Sequence, residues 1–109
     1  MKSAQTVVIE RDVWAEAVLV TEPFEAGWAE EAIWFIHVLE TDGSPWMAVA
    51  EISPDGTNWV PLPQISVLPF ERIGVHALPI RHFGVWLRLS VTTLSPEARC
   101  KLRIMLTLK

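Results

Sequence analysis

Two stretches near the C-terminal end decide the fold: FGVWLRLSV at residues 83–91 and ARCKLRIMLTL at residues 98–108. In each stretch apolar side chains occupy every second position, which is the period of a strand with one buried face. The inward-facing sets are Phe83, Val85, Leu87, Leu89 and Val91, then Ala98, Cys100, Leu102, Ile104, Leu106 and Leu108. Only a short turn around Ser95 and Pro96 joins the two stretches, so the pattern predicts an antiparallel hairpin.

A second hairpin is predicted in the middle of the chain. Its arms are residues 46–53 and 58–62, and Pro54 and Gly56 supply the backbone geometry of the turn between them. Residues 32–41 come before this hairpin and are almost continuously apolar, which favours a central strand covered on both faces.

The remaining segments are shorter. Residues 6–9 and 13–21 are predicted as strands, and residues 24–31 as a loop or one helical turn. Residues 64–68 and 74–80 are predicted as short strands that neighbouring prolines confine to sheet edges or ends. About eight strands at short turn spacings predict one all-β domain over residues 1–109, an antiparallel, jelly-roll-like β-sandwich. A small barrel gives a similar pattern and stays open at this point.

Composition narrows the classes of function. The chain has 109 residues, of which 50% are hydrophobic and 20% charged, and this excludes a disordered chain. A net charge of −4 disfavours nucleic-acid binding, and a single cysteine excludes an internal disulfide. We find no signal peptide and no uncharged apolar run long enough for a membrane span. The expected location is therefore a virion or the cytoplasm, with no membrane partner.

The histidines do not form a recognisable site. His37 lies within an apolar strand and is interpreted as a hydrogen-bonded interior residue, whereas His76 and His82 are expected at the surface or rim. No two of them stand at a metal-ligand spacing, and the sequence has no phosphate-binding loop or nucleophile elbow. We therefore expect no metal, no cofactor and no enzyme activity.

Cys100 and the acidic residues are also expected to be structural. Cys100 falls on the apolar face of its strand, which predicts an inert core thiol. The acidic residues of the segment that precedes the apolar strand are expected to form a solvated surface; they are Glu22, Glu25, Glu30 and Glu31. The cations Arg99, Lys101 and Arg103 line the outward face of the last strand, either in solvent or against that acidic segment of a neighbouring molecule.

Six tryptophans are too many for a small domain to bury easily. Trp86 and Arg88 lie two residues apart on the predicted outer face of one strand, opposite the core set. Such a pair can anchor a subunit contact, stack on a sugar or pack under another layer. We expect Trp86 and Arg88, with the loop aromatics Trp28 and Trp46, to form an interface or a ligand-stacking site.

One motif carries a resemblance to known families. The stretch EISPDGTNWV at residues 51–60, followed by GVWLRL at residues 84–89, resembles two groups of β-sandwich proteins over about the last two-thirds of the chain. The first group is the discoidin-like carbohydrate-binding modules, in which a Ser-x-Asp-Gly-x-x-Trp turn is common. The second is the small phage and virion-associated sandwich proteins, in which the turn precedes a strand like 84–89 and a closing strand ends in Lys. The matching turn residues here are Ser53, Pro54, Asp55, Gly56 and Trp59. The resemblance implies a structural turn and transfers no binding residue.

These observations together lead to two hypotheses about function. The first is a non-enzymatic structural protein that self-associates, with a trimer favoured, and decorates or completes a viral capsid or similar protein shell. Its partners would be further copies of itself and a larger shell protein. The alternative is a carbohydrate-binding module that uses an exposed tryptophan.

Overall fold

The computed structural model describes residues 4–63 and 67–109. These residues form ten strands and no helix, so no helix in this part of the chain could cross a bilayer. In chain order the strands are β1 Gln5–Glu16, β2 Val18–Val20, β3 Phe24–Glu25, β4 Glu31–Thr41, β5 Trp46–Ser53, β6 Val60–Pro61, β7 Val67–Phe70, β8 Gly74–Arg81, β9 Trp86–Thr92 and β10 Arg99–Leu108.

The strands form two antiparallel sheets. The first sheet has the order β1-β10-β4-β8. In the second sheet β9 lies between β5 and the two segments β2 and β3, while β6 and β7 both pair with the far edge of β5. Because β2 and β3 share one position and β6 and β7 share another, the ten strands occupy eight positions. The predicted all-β, jelly-roll-like sandwich is confirmed.

A sharp bend passes the chain from the first sheet to the second. Ala17 has a positive φ of 68° and lies between β1 and β2, where Glu16 pairs with Val18. The sequence predicts separate strands at residues 6–9 and 13–21, but β1 runs from Gln5 to Glu16 through a bulge at Asp12. A bulge adds a residue to one strand and breaks the alternation without ending the pairing, which explains the difference.

The core lies between the two sheets. From the first sheet it takes alternate residues of β4 and β10, including Trp34, Ile36 and Leu102. From the second sheet it takes alternate residues of β9 and β5, including Leu87 and Leu89. The inward sets predicted for residues 83–91 and 98–108 are buried except Val85, which is 41% exposed because it precedes the first residue of β9.

The hairpin predicted between these two stretches is wrong. β9 pairs with β2, β3 and β5, whereas β10 pairs with β1 and β4 in the other sheet. Residues 93–98 therefore cross between the sheets, and the two strands belong to opposite sides of the core. Two amphipathic strands can bury their apolar faces side by side in one sheet or face to face across a sandwich, and the alternation is the same in both cases.

The prediction for residues 32–41 is half right. β4 lies inside its sheet between β10 and β8, but it is covered on one face only. Ala32, Trp34, Ile36 and Val38 are buried, while the alternate residues Ile33, Phe35, His37 and Leu39 are partly exposed on the outer face. The sequence predicts His37 as an interior residue, and this prediction is wrong. His37 faces away from the core, between Arg103 and Val75.

The shorter segments follow the predictions more closely. β5 and β6 form the expected hairpin, although its second arm is only Val60–Pro61. The 24–31 segment contains β3 and a turn, and it contains no helical turn. β8 is an edge strand, as its proline predicts, and β7 lies at the far edge of β5. Of the predicted strand 64–68, residues 64–66 lie outside the described residues.

Candidate functional site

Trp86 and Arg88, predicted as interface anchors, are engaged within their own chain. The Arg88 Nε donates a hydrogen bond of 2.7 Å to Glu51 Oε1, because β5 places Glu51 directly opposite Arg88. The Arg88 guanidinium also stacks over the Trp59 ring, 4.5 Å from its centroid. The Trp86 ring packs so closely on the mid-chain turn that a Cβ at Gly56 would lie 3.4 Å from it. Both side chains therefore fix the turn to β9.

The turn itself is held by a network around Asp55. One carboxylate oxygen accepts hydrogen bonds from the backbone N–H groups of Thr57 and Asn58, both at 2.9 Å, and from the Ser53 hydroxyl at 3.0 Å. The other oxygen accepts from the Asn58 side-chain amide at 2.8 Å. These donors, chiefly the two backbone N–H groups, hold the pKa of Asp55 well below its ordinary value. Gly56 has a φ of 79°, which suits a residue without a Cβ.

The two other aromatic anchors differ from each other. Trp46 is 2% exposed and belongs to the core, so it is not available as a surface anchor. Trp28 follows β3 in the described turn and is 48% exposed, as an interface or stacking residue requires. Trp14, which the sequence analysis did not single out, is also partly exposed, but the Arg99 guanidinium stacks 4.5 Å from its ring centroid.

The cations of β10 each meet a carboxylate of a neighbouring strand. Arg103 forms two hydrogen bonds with Asp12, at 2.8 and 3.0 Å, which lower the pKa of Asp12 and raise that of Arg103. Arg99 pairs with Glu16 at 3.1 Å, and Lys101 lies 3.6 Å from Glu40. These cations therefore have partners in β1 and β4 and need no acidic segment from a neighbouring molecule.

The remaining candidates for chemistry are dispersed. The His76 ring nitrogen Nε2 lies 2.9 Å from the Arg72 carbonyl oxygen, and His82 is exposed at a positive φ of 55°. Cys100 is buried, and burial raises the pKa of its thiol to about 12. Within residues 4–63 and 67–109 no group of three or more His, Cys, Asp or Glu side chains could hold a metal ion.

A surface that the sequence analysis missed lies on the outer face of the second sheet. Uncharged side chains form two rows across β2, β9, β5 and β7, and we call these rows the neutral face. In register, the first row is Val18, Thr92, Met47 and Pro69, and the second is Val20, Ser90, Val49 and Val67. Val18, Val20, Met47 and Val67 are between 41 and 56% exposed. The next row holds the Arg88–Glu51 pair, whose charges cancel.

An apolar depression continues the neutral face towards one end of the sandwich. Its volume is about 360 Å³, and it is bordered by Leu94 and lined by Pro45, Trp46, Met47, Pro69, Thr92 and Thr93. Leu94 itself is fully exposed. A larger open depression of about 670 Å³ also borders Leu94, but Asp42 and Glu97 line it, so it does not extend the uncharged surface.

The first sheet also carries an apolar surface on its own outer face. Val8, Met105, Phe35 and Ala77 pair in register across β1, β10, β4 and β8, and we call this line the apolar row. Val8 and Ala77 are exposed, whereas Phe35 and Met105 are half-buried. The cations of β10 and their carboxylates lie further along the same face.

A sequence signal for the neutral face does exist. Residues 18–20 and 46–50 read VLV and WMAVA, so these segments are apolar on both faces of the strand and not only on the core face. Such a run predicts either a strand between two layers or a strand with an uncovered apolar face. Only the sheet topology shows that the second case applies and that the two segments lie on the same sheet, with β9 between them.

Comparison of the chain with protein-family models, with curated proteins and with solved structures finds no match. Function therefore has to be inferred from the side chains and surfaces of this chain. Asp55, Arg88 and Arg103 are held in a turn and in ion pairs, while the exposed apolar surfaces suit contact with another apolar surface.

Proposed function

We propose that this chain is a non-enzymatic structural protein that self-associates and takes its place in a larger protein assembly. The neutral face is the observation that carries this proposal. Exposed apolar side chains are common singly, but here six of the eight residues in two rows across four strand positions are apolar, and the other two, Thr92 and Ser90, are uncharged. A surface without charged residues is typical of the centre of a protein–protein contact.

The apolar row supports an assembly in which each molecule contacts its neighbours through more than one surface. The apolar row lies on the outer face of the first sheet, and the neutral face lies on the outer face of the second. A molecule with apolar surfaces on opposite faces can contact one neighbour through each of them. The resemblance to small virion-associated sandwich proteins makes a viral capsid or a similar shell our proposed assembly.

The arrangement of the polar groups supports a non-enzymatic role. Arg88 and Asp55 stabilise the mid-chain turn, and the carboxylates near β10 neutralise its cations. The raised pKa of Cys100 leaves its thiol protonated near neutral pH, and a thiol is a poor nucleophile. These groups have structural roles that account for their positions.

The mass of the purified chain in solution tests self-association. We expect light scattering after size exclusion to give a mass above that of one chain, and to give a larger value at the higher of two concentrations. A mass of one chain at both concentrations, up to roughly millimolar, would contradict the proposal, because weak but specific contacts are populated in that range.

A second candidate is a carbohydrate-binding module, and the exposed ring of Trp28 is the observation that favours it. Aromatic side chains with a free face can stack on the apolar face of a sugar. Titration of the chain with oligosaccharides, followed by tryptophan fluorescence, tests this function. A saturable change that Trp28→Ala abolishes would support it, and the absence of a response across a broad panel would contradict it.

A further inference from the structure

The open edges of both sheets are interrupted, which directs contacts to the faces. Pro79 lies in β8, which is an edge strand of the first sheet. Pro61 and Pro69 lie in β6 and β7, which form one edge of the second sheet. β1 has its bulge at Asp12, and Pro23 separates β2 from β3. Prolines and bulges remove or displace the backbone groups that another strand would need. Addition of a strand from another molecule is therefore disfavoured.

We propose that a second copy of this chain docks on the neutral face in a twofold contact, with Leu94 of each copy seated in the apolar depression of the other. The proposal rests on the self-association proposed above and specifies its surface, partner and symmetry. A twofold pair replaces the trimer expected from the sequence. In a twofold contact the same patch serves both copies, so the patch has to be complementary to itself.

The distribution of charge favours a second copy as the occupant. The chain has a net charge of −4, so two copies repel each other unless they meet through an uncharged surface. The rows of the neutral face contain no charged residue, and the adjoining Arg88–Glu51 pair is neutral as a unit. A charged partner would gain nothing from such a surface, whereas an identical one meets no like charge.

The shape of the surface supports the same occupant. Leu94 is a fully exposed apolar side chain in the connection from β9 to β10. The apolar depression lies directly beside it and is lined by Met47 and Pro69 of the neutral face. Across a twofold axis, the projecting side chain of each copy can fill the recess of the other copy. This contact would bury Leu94, which is fully exposed in a single chain.

The area of the neutral face determines how tightly we expect the two copies to bind. Strands about 4.8 Å apart and rows about 7 Å apart give the neutral face an area of roughly 300 Å². A standard stable interface buries about 800 Å² on each partner. Leu94 and its depression add to this area. We therefore expect a reversible dimer with a dissociation constant on the order of micromolar, and not a permanent one.

Three single variants of the full chain test the contact. Leu94→Asp and Met47→Lys each place a charge in the proposed contact, and Val75→Lys is the control on the outer face of β8. Val75 is at least as exposed as Met47, at 59 and 44%, and receives the same charge change. Circular dichroism checks that every variant keeps its β structure. Sedimentation and light scattering over a wide concentration range then give the dissociation constant.

We expect the parent chain and Val75→Lys to form dimers of similar affinity, and the other two variants to weaken the dimer at least tenfold. A parent dimer that neither Leu94→Asp nor Met47→Lys weakens would overturn this contact but leave self-association intact. A parent trimer would also overturn the twofold contact alone. A parent chain that stays monomeric throughout would overturn both proposals.

Discussion

Asp55 shows how a single carboxylate can organise a turn. It gathers two backbone N–H groups, one side-chain amide and one hydroxyl within six consecutive residues. All four donors favour the ionised carboxylate, and the pKa of Asp55 falls accordingly. The turn positions Gly56 and Trp59, against which Trp86 and Arg88 pack. The ionised carboxylate therefore supports the outer surface of the second sheet as well as its own turn.

Substitution of Asp55 by Asn should remove one source of acid sensitivity from the stability of the fold. Because the pKa of Asp55 is lower in the folded chain, its contribution is present above the unfolded value of about 3.9 and is lost as pH falls through the folded pKa. Asp55→Asn should therefore be less stable than the parent chain at pH 7, and the difference should shrink below about pH 4. Urea denaturation between pH 2 and 7 measures this difference.

The matched control for that experiment is Glu97→Gln. Glu97 is exposed, and the substitution removes the same charge from the surface. A difference that stays constant down to pH 2 for Asp55→Asn would show that the carboxylate charge does not stabilise the turn.

At the scale of strands, sequence alternation identified the buried side of each strand but not its neighbours. Leu87, Leu89, Leu102 and Ile104 are buried as their spacing predicts. Spacing along one strand carries no information about which strand lies beside it, so β9 and β10 were paired incorrectly. The same limit hid the ion pair between Arg88 and Glu51, which are adjacent only because β9 pairs with β5.

The neutral face was missed for a related reason. Val18 and Val20 belong to β2, whereas Met47 and Val49 belong to β5, and β9 joins them into one surface. Each segment alone contributes only a few exposed apolar residues, which are unremarkable singly. Trp46 and Trp86 are predicted as surface anchors because tryptophan is large, yet Trp46 is buried in the core and Trp86 packs against Gly56.

Thr21 joins the two segments that share one strand position beside β9. Its backbone N–H donates to the Leu89 carbonyl at 3.0 Å, and its hydroxyl oxygen accepts from the Leu89 N–H at 2.9 Å. Thr21 is 2% exposed. The side chain therefore supplies a ladder bond where the chain leaves regular pairing between β2 and β3.

Substitution of this threonine by valine should destabilise the fold. Thr21→Val keeps the shape of the side chain but leaves the Leu89 N–H without its acceptor, at a cost of about 1–3 kcal/mol. Chemical denaturation with linear extrapolation measures the free energy of unfolding. Thr57→Val makes the same chemical change at an exposed position outside the neutral face and should alter the free energy of unfolding by less than about 0.5 kcal/mol. Equal effects of the two variants would remove this role from Thr21.

At the scale of the whole molecule, the topology joins distant parts of the chain. β1 pairs with β10 along most of its length, and β4 pairs with both β10 and β8. The first sheet therefore cannot close until both ends of the chain have met. Loop closure over such distances is entropically costly before the contacts form.

Folding should accordingly be slow for a chain of this size. We expect refolding from denaturant to take milliseconds to seconds, as in other sandwiches dominated by non-local pairing. Stopped-flow tryptophan fluorescence measures the rate, because Trp34 and Trp46 become buried in the core on folding. Complete refolding within about 100 microseconds would contradict the prediction and indicate that local hairpins carry the folding reaction.

The pairing of Gln5 with Leu108 has a mechanical consequence. β1 and β10 are antiparallel neighbours, so their outer ends lie side by side at one corner of the sandwich. A pulling force applied through those ends acts across the two strands and along their hydrogen bonds. It would open the bonds one after another, like a zip, instead of loading them all in shear. The domain is therefore poorly suited to carry tension through its own chain.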